Sequence, residues 1–289
     1  MSSLDTAIAN TALPAMAAQL HATPAMSVWI VNAYQLAMVA TLLPLAALGE
    51  TIGYRRVYIS GMAVFTLASL ACALSAAAHG ARLVHVSAIG ADEQSSSHYA
   101  RSKAAGEKLV RAAVPSATIL RPSIVFGPED AFFNRFAAIA RLAPALPLIG
   151  GGRTRLQPVF AGDVAAAVVA AIEGRTIAGA TYELGGPAVR TFKELMQFLL
   201  NTIERRRLLL PVPFELAKVP AFFMQFLPTP LLTPDQVELL RYDNVVSDQA
   251  KQERRTLEGL GIAPTLMEAV VPAYLQRFRK TGQFRVRSI

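Results

Sequence analysis

Ala81-Arg-Leu-Val-His-Val-Ser-Ala-Ile-Gly90 is a short β-branched run that ends in a serine and breaks at Ala-Ile-Gly, the way a strand leaves a sheet. It reads as an inner strand of a soluble α/β sheet, entered in mid-fold. What precedes it has another character. Only Asp5, Glu50, Arg55 and Arg56 are charged in residues 1–80, and every other Asp, Glu, Lys and Arg of the 289-residue chain follows Ala81. A single soluble domain seldom divides its charge so unevenly, so the two parts are read separately.

Outward toward the C-terminus, Tyr99-Ala-Arg-Ser-Lys103 opens a helical pattern continued by Ala105, Leu109, Val110 and Ala113. Tyr99 and Lys103 are four apart, so a helix turns them the same way, one turn from each other. An ammonium there favours the phenolate and makes Tyr99 a candidate acid or base. Ser87, at the preceding strand end, is placed to hydrogen-bond a reacting oxygen. Tyr-x-x-x-Lys alone arises often by chance on helix surfaces, and the upstream strand ending in serine strengthens it. Further landmarks are a strand over Ala117–Leu120 running into Arg121-Pro-Ser-Ile-Val-Phe-Gly-Pro128, and Gln157–Val164 leading into an alanine-rich helix to Ile172 with Asp163 at its start. A short strand and turn at Tyr182–Pro187 then precedes Thr191-Phe-Lys-Glu194, which has the capping-box pattern.

This succession resembles the back half of an extended or atypical short-chain dehydrogenase/reductase, and within that superfamily the alpha subcomplex subunit 9-like accessory proteins of respiratory complex I. The resemblance covers residues 81 to about 280. It is carried by Arg121–Gly127, by Gly150-Gly-Gly152 leading to Asp163, and by the proline-rich stretch Leu210–Pro234. It implies catalytic positions at Ser87, Tyr99 and Lys103. It implies NADP or NAD as cofactor, with Lys103 also on the nicotinamide ribose and the backbone of Pro122, Ser123, Ile124 and Val125 beside the nicotinamide. It also implies complex I subunits as partners and a nucleotide held structurally rather than turned over.

A dinucleotide fold also needs a first strand, a glycine-rich turn and a helix N-terminus for the pyrophosphate. Residues 1–80 supply none of these. Gly150–Gly152 follows a proline-rich loop and precedes Arg153-Thr-Arg155 rather than a helix, so it reads as a turn. Weak or lost cofactor binding is therefore expected.

In the front part, Trp29–Leu48 and Val57–Ala78 run 20 and 22 residues without a charge. At about 1.5 Å per residue each would cross the roughly 30 Å hydrocarbon core as a helix; a pair of buried helices in a globular domain is the alternative. Between them lies Gly49-Glu-Thr-Ile-Gly-Tyr-Arg-Arg56, which the positive-inside rule places on the cytoplasmic face. With Leu4–Pro14 and Trp29–Leu36, this turn resembles the start of a major facilitator superfamily drug–proton antiporter, although the loop's usual Asp-Arg portion reads Glu50-Thr51-Ile52. The resemblance covers residues 1–78 and implies a clipped first helix, two full spans, a lipid bilayer around residues 1–80 and an inner (cytoplasmic) membrane. Three helices cannot enclose a pathway built from two bundles, so transport is not expected.

The expected fold is therefore α/β: an incomplete Rossmann-type sheet over residues 81–200, a small C-terminal helical lobe and basic tail over 201–289, and an all-α transmembrane segment over 1–80. The proline-rich Leu208–Leu232 reads as the lobe's own core, a docking surface being the alternative. Arg277, Arg279, Lys280, Arg285 and Arg287 make the end basic, either a solvated tail or an attraction for anionic lipid or an acidic partner. No aromatic-interleaved basic stripe supports nucleic-acid binding. One cysteine, Cys72, and four scattered histidines leave no disulfide and no metal-ligand spacing.

Three functions follow: an NAD(P)-binding accessory protein, an active epimerase, dehydratase or reductase, or a transporter fragment without function. A helix exiting opposite the Arg55-Arg56 turn would carry residues 81–289 away from the cytoplasm and from NAD(P)H. The chain thus reads as a fusion of two truncated reading frames.

Overall fold

The computed structural model describes residues 82–224 and 232–279. The expected spans, the clipped helix and the bilayer around residues 1–80 lie outside these residues. Among the described residues, no helix is long and apolar enough to cross a membrane.

Val84-His-Val86 forms β1 where the sequence places its inner strand, and β1 pairs in parallel with β2, Thr118–Pro122. The crossover is α1, His98–Ala113. Its interior of Ala, Lys, Glu and Arg favours helix, Ser97 Oγ caps it by accepting from Ala100 N, and Pro115 biases Val114 out of the helix. β2 pairs in parallel on its other side with β7, Thr181–Leu184, giving the order β1-β2-β7. Among the described residues β1 pairs with β2 alone, and the parallel order with a helical crossover is that of a Rossmann-type sheet.

Three strand pairs flank it: β3, Val125–Phe126, with β6, Val159–Phe160; β4, Ala145–Ile149, with β9, Leu208–Val212; and β5, Arg155–Leu156, antiparallel to β8, Arg190–Thr191. The helices are α2, Phe133–Leu142; α3, Ala161–Ile172; α4, Phe192–Thr202; α5, Phe214–Met224; α6, Pro234–Leu239; α7, Asp248–Gln252; and α8, Met267–Leu275. Small side chains let α3 lie close to the sheet, where Val164, Ala167 and Val168 pack on Leu120, Tyr182 and Leu184. The capping box opens α4, with Thr191 Oγ1 and Glu194 exchanging bonds as its sequence predicts. Asp163 lies in the first turn of α3, but its carboxylate accepts from Thr265 N and Oγ1, tying α3 to the segment before α8.

A second core joins α2, α4 and α8 around Phe133, Phe192, Leu195 and Leu275. It draws on residues from both sides of position 200. The proline-rich stretch becomes β9 and α5. Ala217 and Ala221 of α5 are buried against Ile149 and Val237, whereas Leu216, Val219 and Phe223 stay exposed.

Candidate nicotinamide site

The site is built at the carboxyl ends of β1 and β2, where open α/β sheets take their ligands. Tyr99 and Lys103 share one side of α1, with Lys103 Nζ 5.7 Å from the centroid of the Tyr99 ring. Lys103 also donates to Val86 O at 3.4 Å, which fixes its stem over the end of β1. Tyr99 is 44 % exposed, yet the burial of its remainder raises the phenol's pKa.

Ser87 is buried, and its Oγ makes no hydrogen bond of ordinary length among the described residues. It lies close enough to Glu107 for its dipole to help lower that carboxyl's pKa. On the next strand Pro122 and Ser123 are buried, and Ile124 and Val125 half-buried. Ser123 Oγ bonds Asn244, at 2.5 Å to Oδ1 and 2.9 Å to the backbone oxygen. Ser87 and Lys103 thus lie at the end of β1 with Tyr99 beside Lys103, and Pro122–Val125 leads out of the adjoining β2, tied to β1 where Ile89 N donates to Pro122 O; these strand ends make the mouth.

Three residues at this mouth escaped the sequence reading. Glu107, one turn beyond Lys103, takes a bidentate pair from Arg121 of β2 at 2.8 and 2.7 Å. Burial alone would raise its pKa, but the guanidinium outweighs that and the carboxyl titrates below its ordinary value. The four-residue spacing Tyr99, Lys103, Glu107 was the available signal. Asn244 donates to Ile89 O at 3.2 Å, bridging the ends of β1 and β2. Asp235 accepts from Tyr99 N. Both come from loop-rich sequence far along the chain, with no local signal of their target.

Among the described residues, the cofactor implied by the fold fits at its nicotinamide end. The buried Ser87 Oγ, the Tyr99–Lys103 pair and the strand-end backbone suit a nicotinamide and its ribose. The glycine loop does not suit a pyrophosphate. Gly150, at φ +62°, would place a Cβ 2.2 Å from the Phe214 ring, and a Cβ on Gly152 would lie 2.9 Å from Lys193 Cβ. The space those glycines open is filled by the protein's own side chains, so the loop is the turn its sequence predicts.

A model of the NAD dependent epimerase/dehydratase family matches residues 49–185, and one of the Major Facilitator Superfamily matches residues 1–89. The mitochondrial NADH dehydrogenase (ubiquinone) 1 alpha subcomplex subunit 9 of Arabidopsis thaliana is 39% identical over 223 residues, covering 73% of this chain and 54% of the relative. The back of the chain is similar to the subunit 9 proteins. Its front is similar to a transporter: YebQ of Escherichia coli (strain K12), an uncharacterised transporter, is 60% identical over 75 residues, 26% of this chain and 16% of the relative. A solved dTDP-glucose 4,6-dehydratase from Streptomyces venezuelae, with NAD and TYD bound, superposes with a TM-score of 0.50 at 20% identity. It covers 72% of this chain and 62% of that one, and shows the shared Rossmann-like fold. The chain spans about half the length of the subunit 9 relatives that it matches.

One expectation is overturned. The inner (cytoplasmic) membrane does not stand as the location, because the relatives matching about 70% of the chain are named as mitochondrial proteins. The described residues, which carry nearly all the charge, form no helix able to cross a membrane.

Proposed function

We propose that this chain carries the nicotinamide-side half of an NAD(P)-binding, epimerase/dehydratase-like accessory protein of the respiratory chain, fused to a transporter-derived front. The observation that carries the reading is the Tyr99–Lys103 pair on α1, held over the end of β1 by the Lys103–Val86 bond. When bound, the cofactor supplies a site for hydride transfer. Lys103 would bind the ribose hydroxyls, and Ser87 would donate to an oxygen beside the nicotinamide. The backbone of Pro122–Val125 would form the wall of the pocket.

Two features favour binding over turnover. Burial makes Tyr99 hold its proton more tightly than a free phenol, which opposes a general-base role at neutral pH. The pyrophosphate finds no glycine turn at Gly150–Gly152. Losing several charge-assisted hydrogen bonds, each worth roughly 1.5–3 kcal/mol, weakens affinity by several orders of magnitude. The named complex I subunits among the relatives support respiratory-chain subunits as partners. The two family matches, 1–89 and 49–185, support the fusion.

Calorimetry with NADPH and with NADH tests the reading. Weak binding that falls further in Lys103→Ala is expected. A micromolar constant insensitive to Lys103→Ala would place the cofactor elsewhere and overturn it. The active-enzyme reading would be favoured by nicotinamide oxidation that Tyr99→Phe abolishes.

A further inference from the structure

Three donors of α1 converge on one carboxylate from the far end of the chain. Asp235 Oδ1 accepts from His98 N at 2.7 Å, and Oδ2 accepts from Tyr99 N at 3.1 Å and Ser97 Oγ at 3.0 Å. The first amides of a helix have no partner within it, and their dipoles favour an anion. Ser97 covers Ala100 N, so Asp235 satisfies the two that precede it.

Asp235 is itself held firmly. It follows Pro234 at the start of α6, whose capping box joins Thr233 and Gln236. On the same helix Glu238 accepts from Ser96 Oγ at 2.9 Å and pairs with Lys218 at 2.9 Å. The segment then returns to the site at Asn244, which bridges Ile89 O and Ser123. Asn244 is fixed in turn by its backbone bonds to Arg155 O and from Gln157 N. Residues 233–244 therefore form a strap with two grips, one on the N-terminus of α1 and one across the ends of β1 and β2.

We infer that Asp235 is a positioning residue for Tyr99, and that the strap sets the separation between Tyr99 and the Pro122–Val125 wall. This inference rests on the nicotinamide reading of the site. Tyr99 is half-exposed, so side-chain packing alone holds it loosely and its place follows from its backbone. Lys103 lies a turn deeper and has its own bond to Val86 O. Loss of Asp235 would fray the first turn and release Tyr99 while leaving Lys103 in place.

Hydrogen exchange and phenol titration on the full chain test this without any ligand. Asp235→Ala is expected to speed exchange at residues 98–101 by tenfold or more, with the last two turns of α1 unchanged. It should also return the Tyr99 phenol, isolated by subtracting the Tyr99→Phe titration, to the ordinary range. Lys103 on its own helix lies at the phenol ring, while Asp235 and Glu238 of α6 hold the Tyr99 backbone and the Ser96 hydroxyl. Removing the Asp235 charge alone would also favour the phenolate. Asp235→Asn separates the two effects, because it drops the charge but keeps an acceptor for the amides, and it should restore most of the protection and the raised titration.

Equal effects of Ala and Asn on the titration, unchanged exchange at residues 98–101, or protection lost throughout the chain would each overturn the positioning role. NADPH affinity is the separate arm: Asp235→Ala should weaken it to the level of Tyr99→Phe. NADPH binding that is insensitive to Lys103→Ala, together with a frayed first turn in Asp235→Ala, would sink the nicotinamide reading and leave the anchoring standing.

Discussion

Glu107 joins the site to the core, and its replacement gives the sharpest test of that joint. The Arg121 guanidinium meets it through two bonds, at 2.8 and 2.7 Å, with the Glu107 side chain 6 % exposed and that of Arg121 26 %. Breaking a fully buried pair from one side costs about 3–5 kcal/mol, because the remaining charge is stranded. A quarter of Arg121 already reaches water, so about 2–3 kcal/mol is expected for Glu107→Ala, or roughly 5–10 °C in Tm. Glu107→Gln keeps one acceptor and should lose less. Glu107→Leu combined with Arg121→Leu should lie near wild type, since neither charge is then buried.

The pH dependence follows from the sign of the shift. The folded carboxyl titrates below its unfolded value, so its stabilisation is fully present above the ordinary carboxylate range and is lost as pH falls through the folded value. Urea denaturation at neutral and at acid pH reads both effects. Equal midpoints for Glu107→Ala and wild type at neutral pH would refute the reasoning. So would a gap between Glu107→Gln and wild type that persists unchanged after the carboxyl has been protonated.

Gly150→Ala should cost about 2–3 kcal/mol, from the left-handed backbone and the displaced Phe214 ring, and should leave NADPH affinity unchanged; a selective loss of affinity in calorimetry would show that the loop does contact the pyrophosphate. Asp163→Ala removes both acceptors of Thr265 from a buried position and should cost about 2 kcal/mol in urea, with Asp163→Asn recovering part of it. Equal stability of Asp163→Ala and wild type would mean that water replaces the tie.

What could be read from the sequence was whatever is encoded within a few residues. Strand β1 announces itself by Val84-His-Val86 and its serine exit, α1 by the pattern that runs from Tyr99-Ala-Arg-Ser-Lys103 through Ala105, Leu109, Val110 and Ala113, and α4 by its capping box. The pairing of β4 with β9 could not be read, because Pro147 interrupts one strand and Pro211 the other, and each looks like loop by itself. Prolines at an isolated two-stranded pair are tolerated where a central strand would reject them. Asp235 shows the same limit: Thr233-Pro-Asp-Gln236 announces a helix start, but nothing nearby says that the acid's partners are the amides of another helix. Ser87 was placed correctly at a strand end. Its immediate neighbour on that face, Glu107, depended on the tertiary fit of α1.

The stripe Tyr99, Lys103, Glu107, Arg111 explains how α1 is held on the sheet. Each member is four residues from the next, so all lie along one side of α1, and each of the last three holds a different part of the sheet. Lys103 bonds Val86 O of β1, Glu107 takes Arg121 of β2, and Arg111 donates to Gly179 O and Thr181 Oγ1 at β7. The helix is thereby fastened across all three described strands of the sheet, and the strap of residues 233–244 holds its N-terminal end. The arrangement of Tyr99 and Lys103 therefore depends on bonds made within residues 82–279. On the proposed reading, affinity depends also on a pyrophosphate cradle, which the glycine loop does not provide. The arrangement of Tyr99 and Lys103 and the strength of any nucleotide binding are then separate properties. A mutation that loosens α1 will disturb the first whether or not the second is measurable.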